Sequence, residues 1–127
     1  MKINFLDHVA IRVSDMEKSA KWYEEILGLS HFEDAENWGH FPFMMVSGAS
    51  GIAIFPKKEE DDLDYVSARI HIAFNVDNES FDQFQSSLKN KGVEFHFKDH
   101  HWFHSIYLKD LDGYTIELTT KIMDANK

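Results

Sequence analysis

A short pattern recurs in this chain after almost half its length, and no other feature restricts the possible folds as much. The segment His8-Val9-Ala10-Ile11-Arg12-Val13 returns as His71-Ile72-Ala73-Phe74-Asn75-Val76, an offset of 63 between positions 8 and 71 in a chain of 127 residues. Self-similarity at this scale marks each half as one supersecondary unit. A unit this short cannot bury its apolar sheet face alone, so the two copies are expected to pack side by side, with the cleft between them as a binding site.

The residues after each copy extend the parallel. In the first half Asp15 is placed to cap a helix with Ala20, Tyr23, Ile26 and Leu27 on its apolar side, ending near Gly28. In the second, Asn78 or Ser80 is the expected cap of a helix carrying Phe81, Phe84 and Leu88 inward and ending near Gly92. Strand-like runs follow at 29 to 33, 41 to 47 and 51 to 56, and again at 93 to 98, 104 to 109 and 114 to 120. Both halves therefore read βαβββ. The expected class is α+β: a single domain, 1–127, of two tandem βαβββ modules, about 1–63 and about 64–127, forming a curved mixed sheet around a cleft. The mixed-charge run from Lys57 to Asp64 reads as a solvated connector.

Strand alternation sorts side chains by face. Val9, Ile11 and Val13 share the helix side of the first strand, and Ile70, Ile72, Phe74 and Val76 that of its repeat, which leaves His8, Ala10 and Arg12, and Arg69, His71, Ala73 and Asn75, on the opposite face. On the last two strands Ile106, Leu108, Ile116 and Leu118 are core. Ser105, Tyr107 and Lys109, with Thr115, Glu117 and Thr119, then face the same way as the histidines. A lone strand histidine is ordinarily structural, but two at matched positions of a duplicated unit, with a carboxylate on the same face, suggest ligands. Two imidazoles and one carboxylate suit a single divalent Fe, Mn, Zn or Ni ion with positions left open for substrate. Aligning Ile116-Glu117-Leu118 with Ile52-Ala53-Ile54 makes Ala53 the counterpart of Glu117, so the protein is expected to give three ligands: His8, His71 and Glu117.

Composition narrows the partners. The net charge of -9, from 13 basic and 22 acidic residues, would repel a phosphate backbone, so nucleic acid is not expected. With no cysteine there is neither a disulfide framework nor a protein thiol nucleophile. No run reaches membrane-spanning length and no apolar leader is evident, so the expectation is a soluble, cytoplasmic protein acting on a small molecule without a membrane partner.

These residues resemble the vicinal oxygen chelate superfamily, which includes glyoxalases, bleomycin-resistance proteins, fosfomycin-resistance enzymes and extradiol dioxygenases. The resemblance covers nearly the whole chain. It is carried by Leu6-Asp7-His8-Val9-Ala10-Ile11 and Trp22-Tyr23-Glu24-Glu25-Ile26-Leu27-Gly28-Leu29, by His71-Ile72-Ala73-Phe74, and by Ser105-Ile106-Tyr107 running through Asp110-Leu111-Asp112-Gly113 to Glu117. It implies the same three metal ligands, and a homodimer.

Departures from each branch are visible. Glyoxalase I has a carboxylate where this chain has Ala53. Fosfomycin thiol transferases usually carry a hydroxyl residue where it has Ala10, and a cation-rich loop where it has aromatic and histidine residues. The segment from His100 to Glu117 is similar to the extradiol dioxygenase signature, with Leu111 in place of its proline. The resemblance thus implies a metal-dependent dioxygenase or lyase/isomerase acting on a substrate chelated through neighbouring oxygens; the alternative is a non-catalytic drug- or metabolite-binding protein. Tyr107 is the candidate hydrogen-bond donor to an oxyanion, and His100, His101 or His104 the candidate general acid or base. Arg12, Phe55, Asn75 and Trp102 are candidate substrate contacts, with Trp38, Phe41 and Phe43 as further aromatic wall.

Overall fold

The computed structural model describes residues 1–32 and 43–121. The chain divides into two compact units, Met1–Leu63 and Asp64–Lys127.

In the first unit the order is β1 (His8–Val13), α1 (Met16–Leu27), β2 (Ser30–His31), β3 (Phe43–Ser47) and β4 (Ser50–Pro56). The strands form one sheet in the order β1-β4-β3-β2, with β1 parallel to β4 and the other pairs antiparallel. Asp15 caps α1, its carboxylate accepting from the Lys18 amide at 3.1 Å, and Gly28 closes it in the left-handed conformation at φ 73°. The helix lies on β3 and β4. Tyr23 and Leu27 are buried with Met45, Ile52 and Ile54 and with Ile11 and Val13, which alternation assigned to the helix side of β1. Each such aliphatic contributes about 1.5–3 kcal/mol by leaving water.

The second unit repeats this arrangement after a short helix. Its elements are α2 (Leu63–Ser67), β5 (His71–Asn75), α3 (Asn78–Asn90), β6 (His96–Asp99), β7 (Phe103–Lys109) and β8 (Thr115–Lys121). The sheet order β5-β8-β7-β6 copies the first, again with one parallel pair, β5 with β8. Phe81 and Leu88 of α3 are buried, as are Ile72, Ile106, Leu108, Ile116 and Leu118 of the sheet. The class expected from sequence, α+β with two βαβββ modules, is the one observed, each module with its own four-stranded mixed sheet.

Two local expectations are corrected. Asp77, not Asn78 or Ser80, caps α3: its extended backbone (ψ 169°) aims the carboxylate at the Ser80 amide, which donates to it at 2.7 Å. The run from Lys57 to Asp64 is not all connector, since its last two residues open α2; five residues are too few to show a 3.6-residue period.

The β7–β8 turn explains the motif Asp110-Leu111-Asp112-Gly113. The Asp110 carboxylate accepts from the amides of Asp112 at 3.0 Å and Tyr114 at 2.9 Å, while Gly113 sits at φ 92° with its missing Cβ facing Ser67 Oγ at 3.0 Å. A side chain at Gly113 would suffer both backbone strain and crowding. Nothing in these bonds requires proline at position 111, so Leu111 is compatible with the turn.

Two outcomes are expected. Asp110→Ala leaves two amides without that acceptor and lowers the unfolding free energy by about 1–3 kcal/mol in chemical denaturation. The bonds from Ser80 hold the Asp77 carboxyl below its ordinary 3.8, so its contribution is complete above that pH and disappears as pH falls through the lower folded value. The melting-temperature difference between the wild type and Asp77→Ala is therefore largest at neutral pH and vanishes in strong acid.

Candidate metal site

Register places the chemistry of the second unit in rows across its sheet. Ala73 pairs with Glu117, and Glu117 with Tyr107; one row along, His71 pairs with Thr115, and Thr115 with Lys109. His71 thus lies diagonal to Glu117 on the same face. Their side chains meet: His71 Nε2 is 2.6 Å from Glu117 Oε1. An ionised carboxylate has no hydrogen to give, so the ring nitrogen donates.

Glu117 is only 6% exposed, an expensive place for a carboxylate without partners. Both of its oxygens are engaged. Oε1 faces His71, and Oε2 accepts from the Ser105 hydroxyl at 2.5 Å. Ser105 is 0% exposed, with Thr119 Oγ1 at 3.1 Å from its oxygen. The sequence reading put Ser105 and Thr119 on this face without giving them a part. The signal that could have found them is their two-residue spacing from Tyr107 and Glu117 on adjacent strands.

Tyr107 adjoins this group, its ring 5.7 Å from that of His71. Burial first, and then the negative charge of Glu117, push its phenol above the ordinary 10.0, so it is a protonated hydrogen-bond donor at neutral pH. His100 Nε2 is 2.7 Å from the Tyr107 hydroxyl, and the His100 ring is stacked on Phe103 at 4.6 Å. Tyr107 also borders a cavity of about 630 Å³ with His96, Lys109 and Thr115, a volume within the range of small-molecule sites.

The histidine cluster divides. His100 joins Tyr107. His104 turns to the helix side of β7, where it packs near Phe97 at 5.1 Å and Phe81 at 6.5 Å, so it does not share the Glu117 face expected of a general base there. The reason is strand parity, since position 104 alternates with 105 and 107. His101 occupies the β6–β7 turn at φ 77°, edge-on to Trp102, which is 45% exposed.

In the first unit, the Asp7 carboxylate accepts from His8 Nδ1 at 2.8 Å, which leaves Nε2 as the nitrogen with a free lone pair in the neutral ring. Arg12 and Phe55 are register partners, the guanidinium 5.7 Å above the ring, but that cation also donates to the Pro56 carbonyl at 3.0 Å and lies 3.7 Å from Asp61. Arg12 is thus held by its own unit. Asn75 donates from Nδ2 to the Thr119 carbonyl at 3.5 Å. Trp38 and Phe41 lie outside the described residues.

The register also tests the expected asymmetry. Ala10 pairs with Ala53 where Ala73 pairs with Glu117, and Met44 pairs with Ala53 where Tyr107 pairs with Glu117. Ala53 is therefore the structural counterpart of Glu117 and offers no donor atom. Among the described residues no three His, Asp or Glu side chains are gathered together; the assembled part is the pair His71 and Glu117. That pair fits a divalent ion. An imidazole nitrogen and a carboxylate oxygen, the donors such ions take at about 2.0–2.2 Å, face one another closely enough for one cation to replace the proton between them.

Two βαβββ units, each with its own four-stranded mixed sheet, define the fold class of the chain as α+β. The chain belongs to the Glyoxalase/Bleomycin resistance protein/Dioxygenase superfamily, whose family model matches residues 5–118. It is 32% identical over 126 residues to the metallothiol transferase FosB of Staphylococcus epidermidis, a match covering 94% of this chain and 84% of that protein. It is also similar to the lactoylglutathione lyase of Schizosaccharomyces pombe, at 28% identity over 91% of this chain and 47% of that longer protein. Among solved structures, the integron cassette protein HFX_CASS4 from the Halifax Harbour sewage outfall metagenome superposes with a TM-score of 0.73 at 28% identity, covering 93% of this chain and 99% of that one.

One consequence is measurable on metal-free protein. Glu117→Gln removes the charge that opposes phenolate formation, so Tyr107 ionises at lower pH than in the wild type. The difference in phenolate absorbance against a Tyr107→Phe background identifies the group.

Proposed function

We propose that this chain is a metal-dependent enzyme in which His71 and Glu117, with His8 of the first unit as third ligand, hold one divalent ion that binds a small substrate through two neighbouring oxygens. The observation that supports it most directly is the contact of His71 Nε2 with Glu117 Oε1 at 2.6 Å on a buried carboxylate. The ion supplies Lewis acidity toward those oxygens.

The residues of the chain do the rest. Glu117 offsets part of the ion's charge, Tyr107 donates a hydrogen bond to the oxygen that gains negative charge, and His100 holds the Tyr107 hydroxyl in place. Sequence resemblance alone pointed first to a dioxygenase or a lyase/isomerase, with a fosfomycin thiol transferase as a minor alternative. The names of the two relatives, a metallothiol transferase and a lactoylglutathione lyase, favour instead non-oxidative chemistry involving a thiol. Ala53 favours the transferase of the two, because the lyase branch is expected to need a carboxylate there. As the chain has no cysteine, the thiol enters as a second substrate. A homodimer is part of this proposal.

Metal-free protein titrated with Mn(II), Zn(II), Ni(II) or Fe(II) is expected to bind about one equivalent of at least one of them. At a hundredfold excess over Kd, that ion stabilises the fold by about 2.7 kcal/mol. Single substitutions His8→Ala, His71→Ala and Glu117→Ala each weaken binding by more than the 10–100-fold typical of residues one shell further out. Binding of less than about a tenth of an equivalent, with no thermal shift from any of the four ions, would overturn the proposal.

A further inference from the structure

We propose that Ser105 is a positioning residue that restricts Glu117 to presenting a single oxygen, Oε1, toward His71. The inference rests on the metal-site reading above and concerns what the second carboxylate oxygen is prevented from doing. A carboxylate can offer one oxygen to a cation or both. In this structure the choice is constrained before any ion arrives. Oε2 accepts from Ser105 Oγ at 2.5 Å, within the range of a charge-assisted O–H···O⁻ bond, and both residues are buried.

The bond has a defined direction. Ser105 has one hydroxyl hydrogen to give, with Glu117 Oε2 at 2.5 Å, Thr119 Oγ1 at 3.1 Å and the Tyr107 hydroxyl also a hydrogen-bond partner. The ionised acceptor at the shorter distance takes it. Thr119 Oγ1 in turn lies 3.1 Å from Ser105 Oγ and 3.3 Å from the His104 carbonyl, so the Thr119 hydroxyl has acceptors without drawing on the Ser105 hydrogen. Turning Oε2 toward His71 would break a charge-assisted bond and leave the Ser105 hydroxyl buried without its acceptor, a cost of about 1–3 kcal/mol.

The chemical consequence is room. An ion held by a one-oxygen carboxylate keeps one more position for water, and later for substrate, than an ion held by both oxygens. A substrate that chelates through two neighbouring oxygens needs two such positions. Ser105 is thereby a residue for substrate capacity that does not touch the substrate.

The test is the number of water molecules on bound Mn(II), read from the broadening of its electron paramagnetic resonance lines in oxygen-17-enriched water. Wild type, Ser105→Ala and Ser105→Cys are compared, the last filling the same space with a weak donor and standing in if the alanine variant does not fold. Loss of one water relative to wild type in the folded variant supports the proposal. An unchanged count, whatever the Mn(II) affinity, overturns it and leaves the metal site intact. Absence of Mn(II) and of every other ion from the wild type overturns the metal site and this inference together. A merely structural role for Ser105 would lower the melting temperature without altering the count.

Discussion

A carboxylate that is nearly out of contact with water has to be answered on both oxygens, and Glu117 organises the second half of the molecule in this way. Its strand, β8, is central, hydrogen-bonded to β5 on one side and β7 on the other, so partners arrive from both directions: His71 from β5, Ser105 from β7. An edge strand would have offered only one such neighbour. The parallel pairing of β5 with β8 is what sets His71 one row from Glu117, where an imidazole can span the diagonal.

The same register operates in the first half with different side chains. Ala10, Ala53 and Met44 fill the row that Ala73, Glu117 and Tyr107 fill in the second. The helix faces of the two sheets stayed alike because each has to exclude water beneath a helix, whichever half it belongs to. The opposite faces carry no such common demand, and there the halves have parted, one apolar in this row, the other polar and ionisable. Duplication supplied a symmetric frame, and the chemistry depends on departures from it.

Much of this was readable from residue order. Alternation put Ile11, Val13, Ile72, Ile106, Leu108, Ile116 and Leu118 inward and Glu117 with His71 on one face, because period and burial are strongly coupled in strands. The cap at Asp15 was legible from composition, whereas that of α3 was misplaced because Asp77, Asn78 and Ser80 all have capping chemistry and only backbone torsion separates them. The three histidines from 100 to 104 looked equivalent in sequence. Parity sent one of them to the helix side, and a turn with positive φ removed another, neither of which composition can express. Ser105 was placed on the right face but not valued, since a hydroxyl matters there only through a hydrogen bond of particular length and direction.

Each sheet is completed from within its own half of the chain. The most distant partners in the first, His8 with Gly51, are separated by 43 positions, and those in the second, His71 with Thr115, by 44. Among the described residues, no strand of the first half pairs with residues of the second. Emerging from a ribosome, the first unit can close its ladder of backbone bonds before the second has been synthesised, which limits the time that the unpaired edges of β1 and β4 are open to mispairing. Short loop closures within contiguous halves thus make folding a sequence of two local events rather than one search across the whole chain.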